Sequence, residues 1–169
     1  DHMVLQRNKN ITVWGNAYNF TKVKIEIGGN SAEATAVGGK WTAVLPPMEA
    51  GGPYELKASD GNGSEIILHD VMIGEVWLAG GQSNMELELQ NSLTGKEDLA
   101  ALTEDVNVRF YYTQKIAYID DYFHFAERNT CWATASLESA KCWSAVGFYF
   151  ARKLAAELGV TVGVIGCNW

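Results

Sequence analysis

Ser83 is the residue whose setting most suggests chemistry. It stands in Gly81-Gln82-Ser83-Asn84-Met85, behind the nearly continuous apolar run from Val71 to Leu78 and the pair Gly80-Gly81. Such a run suits a strand buried on both faces of a largely parallel sheet, and ligands bind at the carboxyl edge of sheets of that kind. A helix starting just beyond would bring its unpaired amides close to the serine oxygen, where they could stabilise negative charge on a tetrahedral intermediate. The corresponding reaction is nucleophilic attack on an acyl group. The alternative is a polar turn residue that caps the helix. Gly81 allows close backbone approach, and Gln82 and Asn84 add amide donors around the same point, which makes them candidates for positioning or oxyanion stabilisation. Met85 occupies the last position of a GxSxG pattern, so an α/β-hydrolase elbow is not indicated.

Other side chains that could take part are scattered. A base need only be near the nucleophile in space, so His2, His69 and His124 are each open to that role, with terminal, junction and aromatic-stretch placements as the structural alternatives. Asp120-Asp121 and the Glu86/Glu88 pair read as solvated turn or helix-surface residues before paired carboxylates or metal ligands. Cys131, Cys142 and Cys167 lack metal-ligand spacing and contain no CxxC, so no metal site is expected. Cys131 and Cys142 could be bridged in an oxidising compartment or remain two buried thiols. Trp41, Trp132 and Trp143 could stack on sugar rings, although tryptophans of a globular chain mostly enter the core.

The elements that would position Ser83 fall into two groups. Before residue 70, short segments are separated by turn residues: 11–14, 21–27, 32–37, 40–45, 54–58 and 65–68. Val23, Ile25 and Ile27 alternate with Lys22, Lys24 and Glu26, as a half-buried antiparallel strand requires. Gly28-Gly29 and Gly38-Gly39 supply the turns between such strands. Residues 1–70 therefore predict a small all-β domain, a β-sandwich without long helices. From residue 71 the pattern becomes strand (71–78), helix (85–90), helix (96–102), strand (106–112), helix (143–158) and strand (160–165). That order predicts an α/β layer over 71–169, with the boundary at about residues 69–73. In the longest helix, Trp143, Val146, Phe150, Leu154 and Leu158 form an apolar stripe, and Gly159 is placed for a left-handed cap.

Composition narrows the partners. The 169 residues are 47% hydrophobic, enough for one full core or two modest ones. A net charge of −7, without a basic run interleaved with aromatics, argues against nucleic acid. No apolar stretch approaches the roughly 20 residues of a membrane span, and the chain as given carries no signal peptide.

Ile73-Gly-Glu-Val-Trp-Leu-Ala-Gly-Gly-Gln-Ser-Asn-Met-Glu86 resembles the first conserved block of the sialate O-acetylesterase-like branch of the SGNH hydrolases. Asp1-His-Met-Val-Leu-Gln-Arg7 and Val13-Trp-Gly15 resemble the opening of that family's N-terminal β-sandwich. The helix Trp143 to Arg152 and the strand Val162 to Ile165 resemble later segments, so the likeness covers nearly the whole chain.

The resemblance implies an incomplete flavodoxin-like SGNH domain after the β-sandwich and a secreted or periplasmic enzyme that removes acetyl groups from an O-acetylated sugar or glycan, sialic acid first among them. It places the nucleophile on Ser83, whose own N–H would contribute to the oxyanion hole, and it requires no cofactor. The remaining oxyanion donors and the Asp-x-x-His block would lie beyond Trp169, in a missing C-terminal part of the hydrolase domain, so the chain alone would be nearly inactive. Two departures from the family pattern stand out: Ala79-Gly80 replaces Cys-Ser before Gly-Gln-Ser, and Leu87 replaces a frequent tryptophan, which alters the expected pocket wall. The reading from another class is a non-catalytic glycan-binding or assembly segment.

Overall fold

A computed structural model describes residues 1–103, 106–116 and 119–169. The described residues form ten strands: β1 (Val4–Gln6), β2 (Ile11–Asn16), β3 (Lys22–Ile27), β4 (Asn30–Thr35), β5 (Lys40–Leu45), β6 (Gly51–Ser59), β7 (Glu65–Gly81), β8 (Val108–Tyr112), β9 (Ala133–Thr134) and β10 (Val162–Asn168). Between them lie α1 (Ser83–Glu86), a 3-10 turn (Leu89–Asn91), α2 (Gly95–Ala100), α3 (Asp121–Arg128), α4 (Leu137–Ala140) and α5 (Ala145–Leu158). The result is a mixed α/β fold with one large sheet and few helices. No helix precedes Ser83.

The alternation read in β3 is realised: Val23, Ile25 and Ile27 are buried, while Lys22 and Lys24 face outward. Ile27 pairs with Asn30 across Gly28-Gly29, whose φ values of 53° and 82° are those of a two-residue hairpin turn. The large sheet runs β4-β3-β6-β7-β10-β8-β9, with β1 also beside β7, and β2 and β5 form a separate two-stranded ribbon. Ile11, Trp41, Ala43 and Leu45 of the ribbon share a core with Val23, Ile25, Leu56, Val71 and Ile73 of the sheet.

Strand β7 differs from the sequence reading. Segments 65–68 and 71–78 are one strand of 17 residues that passes straight through the anticipated boundary. Strand β6 follows it through a register shift between its Tyr54–Val71 and Leu56–Leu68 pairs, with Asp70 at φ 53° between them. A bulge of this kind bends a strand and interrupts its alternation without ending it. From Glu75 to Gly81 the same strand pairs in parallel with β10, which pairs in parallel with β8. β10 thus lies between the first two parallel strands, whereas a flavodoxin-like order would put the first strand, β7, between the other two.

The helices also carry corrections. The helix expected over 85–90 is a single turn, α1, because Leu89 N–H donates to Trp143 O and Ala145 N–H to Leu87 O, which draws the chain out into extended backbone. Helix α5 starts after Trp143, at the N-cap Ser144, and ends as expected on the left-handed Gly159. Its buried stripe is Ala145, Phe148, Ala151 and Ala155, whereas Val146, Phe150 and Leu158 of the anticipated stripe are 49%, 44% and 43% exposed. The small stripe wins because it lets the helix approach the sheet closely: a Cβ on Gly147 would stand 3.1 Å from the Phe110 ring. Trp143 is buried and stacks on Phe110 with centroids 4.5 Å apart. Helix α3 lies outside the elements expected from the sequence; Asp120 caps it by accepting the Phe123 N–H. Among the described residues no helix is long and apolar enough to cross a membrane.

Candidate active site

Ser83 is the first residue of α1, reached from the carboxyl end of β7 through Gly81 and Gln82. Gly81 has φ 150°, a backbone region that glycine tolerates far better than other residues, and a Cβ there would stand 3.2 Å from that of Met85. The turn is closed by Met85 N–H and Glu86 N–H, both donating to Gln82 O, and by Leu87 N–H donating to Ser83 O. Gln82 gives the helix no side-chain cap, so no side chain from the N-cap position occupies the amides of Ser83 and Asn84. Ser83, Gln82 and Asn84 are all exposed. The arrangement presents a hydroxyl and two backbone donors together at a sheet edge.

Helix α1 is braced from behind. Ser144 Oγ donates to Met85 Sδ at 3.2 Å, and Ser144 N–H donates to Tyr112 Oη at 2.6 Å. Glu86 is ion-paired with Lys115, and Glu88 accepts from the side-chain amides of Gln90 and Asn91, so these carboxylates do not converge as an acid–base pair. A cleft of about 700 Å³ opens beside the end of α1, lined by Leu87, Glu88, Tyr112, Lys115, Cys142 and Asn168 among others; Ser83 lies outside its lining. Burial pushes the Tyr112 hydroxyl above its ordinary pKa, and burial together with Glu88 does the same to the Cys142 thiol, so both stay protonated at neutral pH.

No histidine lines the cleft beside α1 among the described residues. His2 Nδ1 meets Asp70 at 2.6 Å, His69 Nδ1 meets Glu55 at 3.1 Å, and His124 lies on α3 beside a groove lined by Trp14 and Trp41. Cys131, Cys142 and Cys167 are free and exposed, so Cys131 and Cys142 are neither bridged nor buried as the two alternatives had it. Trp41 and Trp143 are core residues, while Trp14 is 73% exposed. Asn168, overlooked in the sequence, is 6% exposed, lines the cleft, and has a buried Nδ2 without a hydrogen-bond partner among the described residues. A lone asparagine at the end of an apolar strand was its only signal.

No protein-family model matches the chain. It is 28% identical over 142 residues to the sialate O-acetylesterase of Mus musculus, covering 76% of this chain and 25% of that protein. The sialate O-acetylesterase of Homo sapiens is 28% identical over 137 residues, covering 76% of this chain and 26% of that protein. A solved carbohydrate acetylesterase from Xanthomonas citri superposes with TM-score 0.87 at 33% identity, over 98% of this chain and 38% of that one. The resemblance read from the sequence is therefore borne out. The chain spans about a quarter of the length of the curated relatives it matches.

Proposed function

Starting from that likeness, we propose that this chain carries the nucleophile of a carbohydrate esterase that removes O-acetyl groups, with sialic acid as the first substrate to test. The observation that carries the reading is the exposed Ser83 at the head of α1, directly beyond the Gly80-Gly81 end of a parallel strand. In this scheme Ser83 Oγ attacks the acetyl carbonyl and its proton passes to a histidine. The Ser83 N–H, with Gln82 and Asn84 nearby, stabilises the oxyanion, and the sugar alcohol leaves with the proton. Water then attacks the acetyl-serine, giving acetate and free enzyme. No cofactor enters these steps.

His2 and His69 sit at the Asp70 bulge of β7, on the order of 30 Å of strand before Ser83, and His124 lines the groove by the ribbon; these placements support a base from outside this chain, in a further part of the hydrolase domain. We read residues 1–70 as a β-sandwich domain and residues 71–169 as the front of an SGNH-type domain, in a protein exported from the cytoplasm to reach glycans.

In the complete protein, Ser83→Ala should abolish acetyl-ester turnover, a loss on the order of 10⁶ in kcat where catalytic groups act as a unit. Activity within tenfold of the parent would refute the assignment. The exposed Trp14 favours a second reading, a non-catalytic glycan-binding segment, for which saturable sugar binding without fluorophosphonate labelling of Ser83 would be diagnostic.

A further inference from the structure

We propose that the groove between the β2–β5 ribbon and α3 binds an acidic sugar, with Trp14 as its stacking platform and Lys40 and Arg128 as its carboxylate clamp. The proposal rests on the carbohydrate reading for its class of ligand and on none of the hydrolytic chemistry.

The ribbon pairs Trp14 with Thr42 and Asn16 with Lys40. Strand alternation places these four side chains on the outward face, while Trp41, Ala43 and Leu45 of β5 enter the core. Helix α3 contributes His124, Glu127 and Arg128, whose spacing of three and four residues sets them on one face. Together they line an open groove of about 720 Å³, within the range of small-ligand sites.

The chemistry of the lining is selective. An indole 73% exposed offers a flat apolar surface to the C–H face of a pyranose, while Asn16, Thr42, His124 and Glu127 ring it with partners for hydroxyls. The local charge runs against that of the whole chain. Arg7, Arg109 and Arg152 are ion-paired with Glu75, Asp70 and Asp98, whereas Lys40 and Arg128 have no ion pair among the described residues. Two such cations against the single carboxylate Glu127, in a chain of net charge −7, leave the groove positive. A guanidinium binds a carboxylate through two parallel hydrogen bonds, so the ligand that completes this lining is a pyranose bearing a carboxyl group, a uronic or a sialic acid.

The test titrates the complete protein with trigalacturonic acid and with sialyllactose, using lactose as the uncharged comparison, followed by calorimetry. At least one acid should bind at least tenfold more tightly than lactose. Trp14→Ala should weaken that binding at least tenfold, Trp14→Phe should retain most of it, and the Lys40→Ala/Arg128→Ala double variant should bind acid and lactose alike. Binding of neither acid, no preference over lactose, or full affinity in folded Trp14→Ala would overturn the proposal. Hydrolysis of p-nitrophenyl acetate by the unsubstituted protein is scored separately: its absence would count against the esterase reading and leave the groove untouched.

Discussion

Asn168 lies opposite Gly81 in the parallel ladder between β10 and β7, and its Nδ2 is a buried side-chain nitrogen with no hydrogen-bond partner among the described residues. An amide buried without a partner costs about 1–3 kcal/mol relative to water. Asn168→Leu, with the same branched heavy-atom skeleton and without the orphan donor, should therefore raise stability by about 1 kcal/mol, read as an increase in the urea midpoint at constant slope. A fall of that size would mean that the amide is already satisfied in solution.

Strand β7 contains two glycines with opposite tolerance. A Cβ on Gly74 would stand 2.0 Å from the Thr161 carbonyl oxygen, so Gly74→Ala must push β7 and β10 apart where their pairing begins. A Cβ on Gly80 meets nothing closer than the Cys167 oxygen at 3.7 Å, an ordinary contact. We expect Gly74→Ala to cost about 3 kcal/mol and Gly80→Ala less than about 1 kcal/mol. Equal midpoints for the two variants would contradict this packing.

These contrasts show where the sequence was readable. Local features were: the period-two alternation of Val23, Ile25 and Ile27, the hairpin glycines, the Gly159 cap, and Ser83 just past the end of a strand all depend on a few adjacent residues, although the 71–78 run is not buried on both faces as expected, since Trp77 and Leu78 are 45% and 69% exposed. Features set by distant partners were not. His69-Asp70 reads as a break, yet β6 carries β7 through it as a bulge. Phe150 and Val146 look as apolar as Phe148 and Ala151, and only the closeness of the sheet decides which stripe is buried. The shortening of α1 depends on hydrogen bonds to Trp143 and Ala145, more than fifty residues away. The Ser83 neighbourhood was legible as a turn with donors, whereas the cleft behind it required Tyr112, Cys142 and Asn168 to be brought together from three segments.

Arg109 ties β8 to the bulge of β7. Its guanidinium, 11% exposed, donates to Asp70 Oδ1 at 2.8 Å and to the His2 carbonyl at 3.0 Å. Burial pushes the Asp70 carboxyl up, but the hydrogen bonds from His2 and Arg109 outweigh it and leave its pKa below the ordinary value. Arg109→Ala leaves those acceptors without their donor and should cost about 2–3 kcal/mol. Arg109→Lys should restore less than half of that, because one ammonium does not reproduce the fork. Chemical denaturation of the two variants decides the point; full rescue by lysine would reduce the contact to simple charge.

Asp98 fastens α2 to α5, and the fastening depends on pH. Its carboxylate accepts from Arg152 Nη1 at 2.8 Å, Tyr149 Oη at 2.7 Å and Thr94 Oγ1 at 2.8 Å. The Arg152 bond, then those from Tyr149 and Thr94, lower its pKa from 3.8 to about 2. A carboxyl with a depressed folded pKa contributes its full stability above the unfolded value and loses it as the pH falls toward the folded one. The contribution should thus be intact at pH 5 and disappear between about pH 4 and pH 2. Because Arg152 is 41% exposed, solvent screening reduces the contribution to about 1 kcal/mol. Asp98→Asn keeps the shape and removes the titration, so it should be less stable than the parent by about that amount at pH 6 and approach it near pH 2. Urea midpoints for both proteins measured across that range provide the check, and a difference that stays constant with pH would show that the loss comes from packing of α2 on α5 and not from the charge on Asp98.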